Sequence, residues 1–162
     1  MGKIFYIMGK SASGKDTIYK ELMEKMPKFH SIVPYTTRPM REGEKDGVEY
    51  FFVDQERFDE MMDEEKIIEF RSYNTKCGIW TYFTADDGQV NLDASDYLGI
   101  GTLESYVKMR EYYGEEALCP IYIEVEDGER LARALNRERS QKTPRYEEMC
   151  RRFLADQEDF SE

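Results

Sequence analysis

The stretch that most constrains the fold is Lys3 to Thr17, KIFYIMGKSASGKDT. A β-prone apolar run (Ile4, Phe5, Tyr6, Ile7, Met8) stops at Gly9. A loop of mostly small residues follows, Gly9, Lys10, Ser11, Ala12, Ser13 and Gly14, and then Lys15 and a helical pattern that starts near Asp16. Strand, loop and helix with the spacing G-x-x-x-x-G-K form a phosphate cradle: the glycines let successive N–H groups converge on a polyphosphate. The helix N-terminus adds partial positive charge, and Lys15 can reach the terminal phosphates. The pattern asks for a hydroxyl directly after the lysine to hold Mg²⁺, and Asp16 stands there with Thr17 next. Two readings stay open: Thr17 takes the metal contact, or Asp16 caps the helix and approaches the metal through water.

A chain of 162 residues is long enough for one domain with a substantial core. A hydrophobic content of 40% with 14% aromatics excludes a disordered chain. The net charge of −11 argues against general nucleic-acid binding, which rests on cationic neutralisation of phosphates. An anionic ligand therefore needs a local basic pocket. Cys77, Cys119 and Cys150 lack paired spacing, which points to reduced thiols in a cytoplasmic protein rather than to a disulfide frame or a zinc site. Apolar runs are only strand length, so neither a membrane span nor a signal peptide is expected. The single His30 makes histidine general-base chemistry an unpromising reading.

Ile18, Leu22 and Met26 repeat on one face of a helix over Thr17–Met26, which Pro27 ends. The pattern predicts strands at Phe29–Tyr35 and Val48–Val53, then a helix capped by Asp54 and running to about Asp63 with Phe58, Met61 and Met62 inward. Strands at Ile67–Tyr73 and Gly78–Thr84 end at a turn marked by Asp86, Asp87 and Gly88. A buried strand is predicted at Asp96–Gly101, a helix at Thr102–Tyr113, and a strand at Leu118–Val125 whose Pro120 asks for an entry or edge position. An arginine-rich helix follows from Asp127 to about Ser140, then a polar break and a last helix through Phe153. Strands alternating with helices imply a parallel sheet flanked by helices, with a β-rich insertion in the middle.

Together, GKSASGKDT, TTRPMREGEKDGVEYFF and IIEF resemble guanylate kinase, a P-loop nucleoside monophosphate kinase family. The similarity extends over nearly all of residues 3–160. Its distinctive part is the second motif, matched at Thr36, Thr37, Arg38, Arg41, Gly43, Glu44, Gly47, Glu49, Tyr50 and Phe52. The resemblance implies a P-loop NTPase-type parallel sheet, an inserted mixed or antiparallel β-rich lobe that binds the monophosphate, and a helical lid. One domain would be divided into a core (1–33 and 85–126), an acceptor lobe (34–84) and a lid with its following helix (127–162). It implies transfer of the ATP γ-phosphoryl group to GMP with Mg²⁺.

In that scheme residues 9–17 bind ATP, and Arg38, Arg41 and Tyr50 hold the acceptor phosphate. Glu69 reads guanine, where N1–H and the 2-amino group are adjacent donors. Arg137 or Arg139, with Arg152, would close over the transferring group. Several positions depart from the family. Pro34 replaces a base-binding serine, and Gly99 and Gly101 stand where an acidic pair is expected. The tyrosine-glycine-serine/threonine element becomes Gly78-Ile79-Trp80-Thr81-Tyr82, which leaves Thr81 or Tyr82 for its phosphate role. The family continues with a further strand and helix that these 162 residues do not contain. The rival expectations are a non-catalytic guanylate-kinase-like phosphopeptide module and a P-loop kinase for another phosphorylated small molecule.

Overall fold

The computed structural model describes residues 1–161; Glu162, the last residue of the expected 127–162 segment, lies outside the described residues. The elements run β1 (Ile4–Gly9), α1 (Lys15–Lys25), β2 (Phe29–Ser31), β3 (Tyr35–Thr36), β4 (Phe51–Phe52), α2 (Gln55–Asp63) and β5 (Ile67–Thr75). They continue with β6 (Gly78–Ala85), β7 (Asp96–Ile100), α3 (Leu103–Tyr113), β8 (Leu118–Ile123), α4 (Asp127–Arg139) and α5 (Tyr146–Asp159).

β1 lies inside a parallel sheet of order β2-β7-β1-β8. A strand buried on both faces reads as a continuous apolar run, and in β1 only Phe5 escapes full burial. Ile7 pairs with Ile100 on one side and Ile121 on the other. Pro120 falls on β8, an edge of this sheet, where a missing N–H costs no ladder bond. Thr102 and Ser105 form a reciprocal capping box at the start of α3, and Asp54 Oδ1 accepts the Arg57 N–H at the start of α2.

The second sheet has the order β4-β3-β6-β5, antiparallel except for the β3–β4 pair. Its own core is Phe58, Met61, Phe83 and Ala85, separate from the cluster around Ile4, Tyr6 and Met8. The expected α/β architecture with a mixed second sheet is therefore present.

Several local expectations change. The strand expected over Phe29–Tyr35 divides: β2 joins the parallel sheet beside β7, while β3 pairs with β6 in the other sheet. The chain crosses at 32–34, where Pro34 offers only its carbonyl, which accepts from the Phe51 N–H. The strand expected at Val48–Val53 shrinks to Phe51–Phe52, because Gly47 sits at φ +80° in a turn and Val48 is exposed. α1 buries no residue fully; Leu22 and Met26 are half-buried and Ile18 is exposed. α5 extends to Asp159, past the expected end. Among the described residues no helix is long and apolar enough to cross a membrane.

Candidate active site

The loop after β1 turns where glycine is required. A Cβ on Gly9 would meet Ser13 Oγ at 2.7 Å, and Gly14 has φ +86°. Gly14 is also the N-cap of α1 and makes no side-chain cap, so the reading of Asp16 as a capping residue is not what forms. The first N–H groups of a helix have no intrahelical partner. Here those of Lys15, Asp16 and Thr17 meet no side-chain acceptor among the described residues, which leaves an anion-ready terminus. Ser13 Oγ is buried without a partner. Lys15 Nζ stands 3.8 Å from Asp16 Oδ2, and Asp16 and Thr17 are both exposed.

The other loop residues are tied to the C-terminal helices. Lys10 Nζ donates to Gln157 Oε1 at 2.5 Å, and the Ser11 N–H donates to Asp156 Oδ2 at 2.8 Å. Arg130 is the hub of this contact, 1% exposed. It donates to the Ser11 carbonyl, Asp127 Oδ1 and Gln157 Oε1 and stacks on Phe153. The sequence marked it only as one arginine of a charged helix; its spacing from Ala134 and Glu138, both buried, was the available signal.

Beyond the loop lies a cleft of about 420 Å³ whose lining includes Ser11, Arg41, Arg137, Arg145, Arg152 and Lys142. Arg41 of the expected acceptor lobe, two of the expected lid arginines and Ser11 of the phosphate loop thus share one cavity rich in basic side chains. Arg139 is exposed and does not line it; Arg145 and Lys142 do. Arg152 Nε also donates to Glu148 Oε1 at 3.3 Å. The Arg151 fork, which donates to both Glu148 carboxylate oxygens, holds the Glu148 carboxyl down to about 2.

Arg38 is 5% exposed and donates both terminal nitrogens to Glu44, at 2.7 Å each. Its guanidinium lies 5.1 Å from the Tyr50 ring centre and 5.6 Å from that of Phe52. The bond from Arg38 holds the Glu44 carboxyl down to about 2. Arg38 Nη1 also donates to the Pro39 carbonyl at 3.0 Å. Of its five donors Arg38 therefore keeps two for a ligand, Nε–H and the second N–H of Nη2, neither with a partner among the described residues. Arg41 is exposed, with its backbone N–H on Glu44. Burial raises the Tyr50 phenol pKa.

β-strand alternation then sorts the hairpin. Glu69 pairs with Thr84 and Arg71 with Tyr82, all on one face. Tyr82 packs edge-on against Tyr50, with ring centres 5.7 Å apart. Thr81 lies on the opposite face, buried and bonded to Ser72 Oγ at 2.8 Å, so of the two expected residues only Tyr82 stands beside Arg38 and Tyr50. Glu69 is buried; Thr84 Oγ1 donates to its Oε1 at 2.8 Å and Arg71 Nε to its Oε2 at 3.2 Å. Sequence reasoning missed Thr84 and Arg71, which only the hairpin register reveals.

Gly99 and Gly101 carry no carboxylate for a steric reason. A Cβ on Gly99 would meet the Tyr6 ring at 2.8 Å, and one on Gly101 would meet Ser105 Oγ at 2.6 Å and collide with Tyr6 Oη. Tyr6 is bonded to Ser105 Oγ at 2.7 Å, and burial pushes its phenol up to about 12. Gly101→Ala is accordingly expected to lose roughly 1–3 kcal/mol by overpacking. In urea denaturation the Tyr6→Phe/Gly101→Ala double variant should lose less than the sum of the singles, because the phenol oxygen is one of the clashing atoms; a strictly additive result would contradict this.

A glycine-rich loop at the carboxyl end of a parallel strand, opening a helix and sharing a cleft with Arg41 of the second lobe, defines a P-loop nucleotide-binding fold. A guanylate kinase family model matches residues 1–81, half of the chain. The guanylate kinase of Legionella pneumophila strain Lens is 43% identical over 68 residues, 42% of this chain and 32% of that protein. That of Mycobacterium bovis is 40% identical over 70 residues, 43% of this chain and 34% of its own length. The chain therefore belongs to the guanylate kinase family, and the matched stretch spans about a third of each of these relatives. The crystal structure of guanylate kinase from Anaplasma phagocytophilum superposes with a TM-score of 0.67 over 99% of this chain and 71% of that one, at 22% identity, which speaks for the fold.

Proposed function

We propose that the chain transfers the γ-phosphoryl group of ATP to GMP, giving ADP and GDP. The observation that carries this reading is the shared cleft: Arg41 from the acceptor lobe and Arg137 and Arg152 from the C-terminal helices line one cavity with Ser11 of the phosphate loop. Phosphoryl transfer spreads negative charge over the moving group, so catalysis consists mainly of positioning and cation placement. Lys15 and the amides that open α1 would stabilise the donor phosphates. Arg41 and Tyr82, with Tyr50 and the two free N–H groups of Arg38, would hold the acceptor phosphate, and Arg137 and Arg152 would neutralise the transferring group. The acceptor oxygen is already anionic, so no side-chain base is needed, in keeping with a chain that has one histidine.

In this reading residues 1–33 and 85–126 form the core, 34–84 the acceptor lobe and 127–162 the lid with its following helix. Mg²⁺ fits the site as a companion of the nucleotide. The described residues hold no cluster of three ligating side chains, and a hard cation bound mainly by phosphates and water needs only one or two protein oxygens. Thr17 or Asp16, at the exposed start of α1, would supply them. The ion would offset charge on the β- and γ-phosphates. The three cysteines are free, as a reducing cytoplasm allows.

Glu69 is the proposed guanine reader, its carboxylate taking N1–H and the 2-amino group. Substrate profiling of Glu69→Gln tests this. A charge-assisted pair is worth about 1.5–3 kcal/mol, so kcat/KM for GMP should fall roughly 10- to 100-fold while AMP turnover stays at its low level. An unchanged preference for GMP would refute the assignment.

A further inference from the structure

Arg71 has a guanidinium that the protein covers but does not satisfy. Its side chain is 16% exposed, and of its five N–H donors only Nε is used, on Glu69 Oε2. Among the described residues neither terminal nitrogen makes a hydrogen bond. Burial works against its charge, and the Glu69 carboxylate is the largest influence that restores it. Register fixes its place: Arg71 stands opposite Tyr82, two pairs along from Glu69 and Thr84 and therefore on the same face. Tyr6 is buried nearby, and its phenol feels both the Glu69 and Arg71 charges, though less than burial and its bond to Ser105. Gly99 and Gly101 leave room for that ring and carry no acid.

From this arrangement we infer that Arg71 is a second base-reading residue, its two terminal nitrogens directed at the O6 and N7 acceptors of guanine beside the Glu69 carboxylate. The inference rests on the guanylate kinase reading of the same site. Guanine presents the 2-amino group, N1–H, O6 and N7 in that order along adjoining edges. A carboxylate that takes the first two needs a donor next to it for the third. Thr84 cannot be that donor while its hydroxyl proton lies on Glu69 Oε1. Arg71 lies on the Oε2 side with four donors free, and a guanidinium fork on O6 and N7 is a geometrically matched pair. Adenine, with an amino group at position 6, would face the same fork donor to donor. The chain thus secures guanine selectivity from the hairpin rather than from the β7 side.

The test is calorimetric binding of GMP, 7-deaza-GMP and IMP to the chain and to Arg71→Lys and Arg71→Met. The chain itself should prefer GMP to 7-deaza-GMP, which lacks the N7 acceptor, by about tenfold or more. Both variants should bind GMP roughly 10- to 100-fold more weakly and lose the distinction between GMP and 7-deaza-GMP. The GMP-to-IMP ratio, which reports on the 2-amino group and Glu69, should survive in Arg71→Lys. That variant keeps a cation beside Glu69, so it remains informative if Arg71→Met folds poorly. A GMP-to-7-deaza-GMP ratio that persists in Arg71→Lys would overturn the inference and leave the kinase reading intact. A chain that binds no GMP at all would overturn both.

Discussion

Lys15→Met should abolish phosphoryl transfer almost completely while leaving the fold in place. Lys15 is the side chain that the loop presents beside the uncapped start of α1, and its nearest acidic group is Asp16, 3.8 Å away on an exposed side chain. A surface pair of this kind contributes little to stability, so removing the ammonium should hardly change the thermal midpoint. The transferring group would lose a positioned cation, and the loss of one such donor typically costs 10²–10³-fold in kcat, so a fall of about that size is expected. Acceptor binding should be preserved, because GMP is held by the other lobe. Steady-state kinetics with a calorimetric GMP titration checks both parts. A variant that retained more than about a tenth of the turnover would show that the amides and arginines suffice without Lys15.

The second large effect is expected in stability. Glu44→Gln leaves the Arg38 guanidinium, 5% exposed and stacked near Tyr50 and Phe52, without its bidentate counter-charge. Breaking a buried pair by removing one partner costs about 3–5 kcal/mol, and here roughly 3 kcal/mol is expected because Glu44 lies nearer the surface. The sign of the pH dependence follows from the bond that holds the Glu44 carboxyl down to about 2, against 4.5 for the free group. A carboxylate depressed on folding stabilises the native state fully above its unfolded pKa and ceases to do so as pH falls through its folded pKa. The stability gap between the two proteins should therefore be constant near neutrality and close as pH drops from about 4.5 towards 2. Urea denaturation of both across that window measures it. A gap independent of pH would mean that Glu44 acts through packing rather than charge. Because Arg38 positions Tyr50, the variant should also raise KM for GMP.

What could be read in advance was local in sequence. The order Ile4–Met8, Gly9, Gly14, Lys15 carries strand, turn and helix within 15 residues, and each step is set by adjacent side chains. The Asp54 cap and the edge place of Pro120 were legible for the same reason. What escaped depended on pairing between distant segments. The run Phe29–Tyr35 has the composition of one strand, yet its halves serve different sheets, and only β7 and β6 decide which half goes where. Thr81 and Tyr82 are equivalent as a pattern; the hairpin register, with its irregularity between Ile67 and Glu69, turns one inward and the other to the acceptor face. Arg71 looked like an ordinary strand charge until that register set it beside Glu69. The vacant acidic positions at Gly99 and Gly101 became intelligible only when Tyr6, 93 or more residues earlier, was seen to fill the space.

The reading depends on a donor site at Lys15 and an acceptor site around Arg41 and Glu69 acting on one cleft. The most direct measurement mixes the chain with ATP, Mg²⁺ and each common nucleoside monophosphate in turn, and resolves the products chromatographically. GDP and ADP should form in equal amounts with GMP, far faster than any product from AMP, CMP or UMP. GDP formation no faster than in the Lys15→Met control would contradict the account.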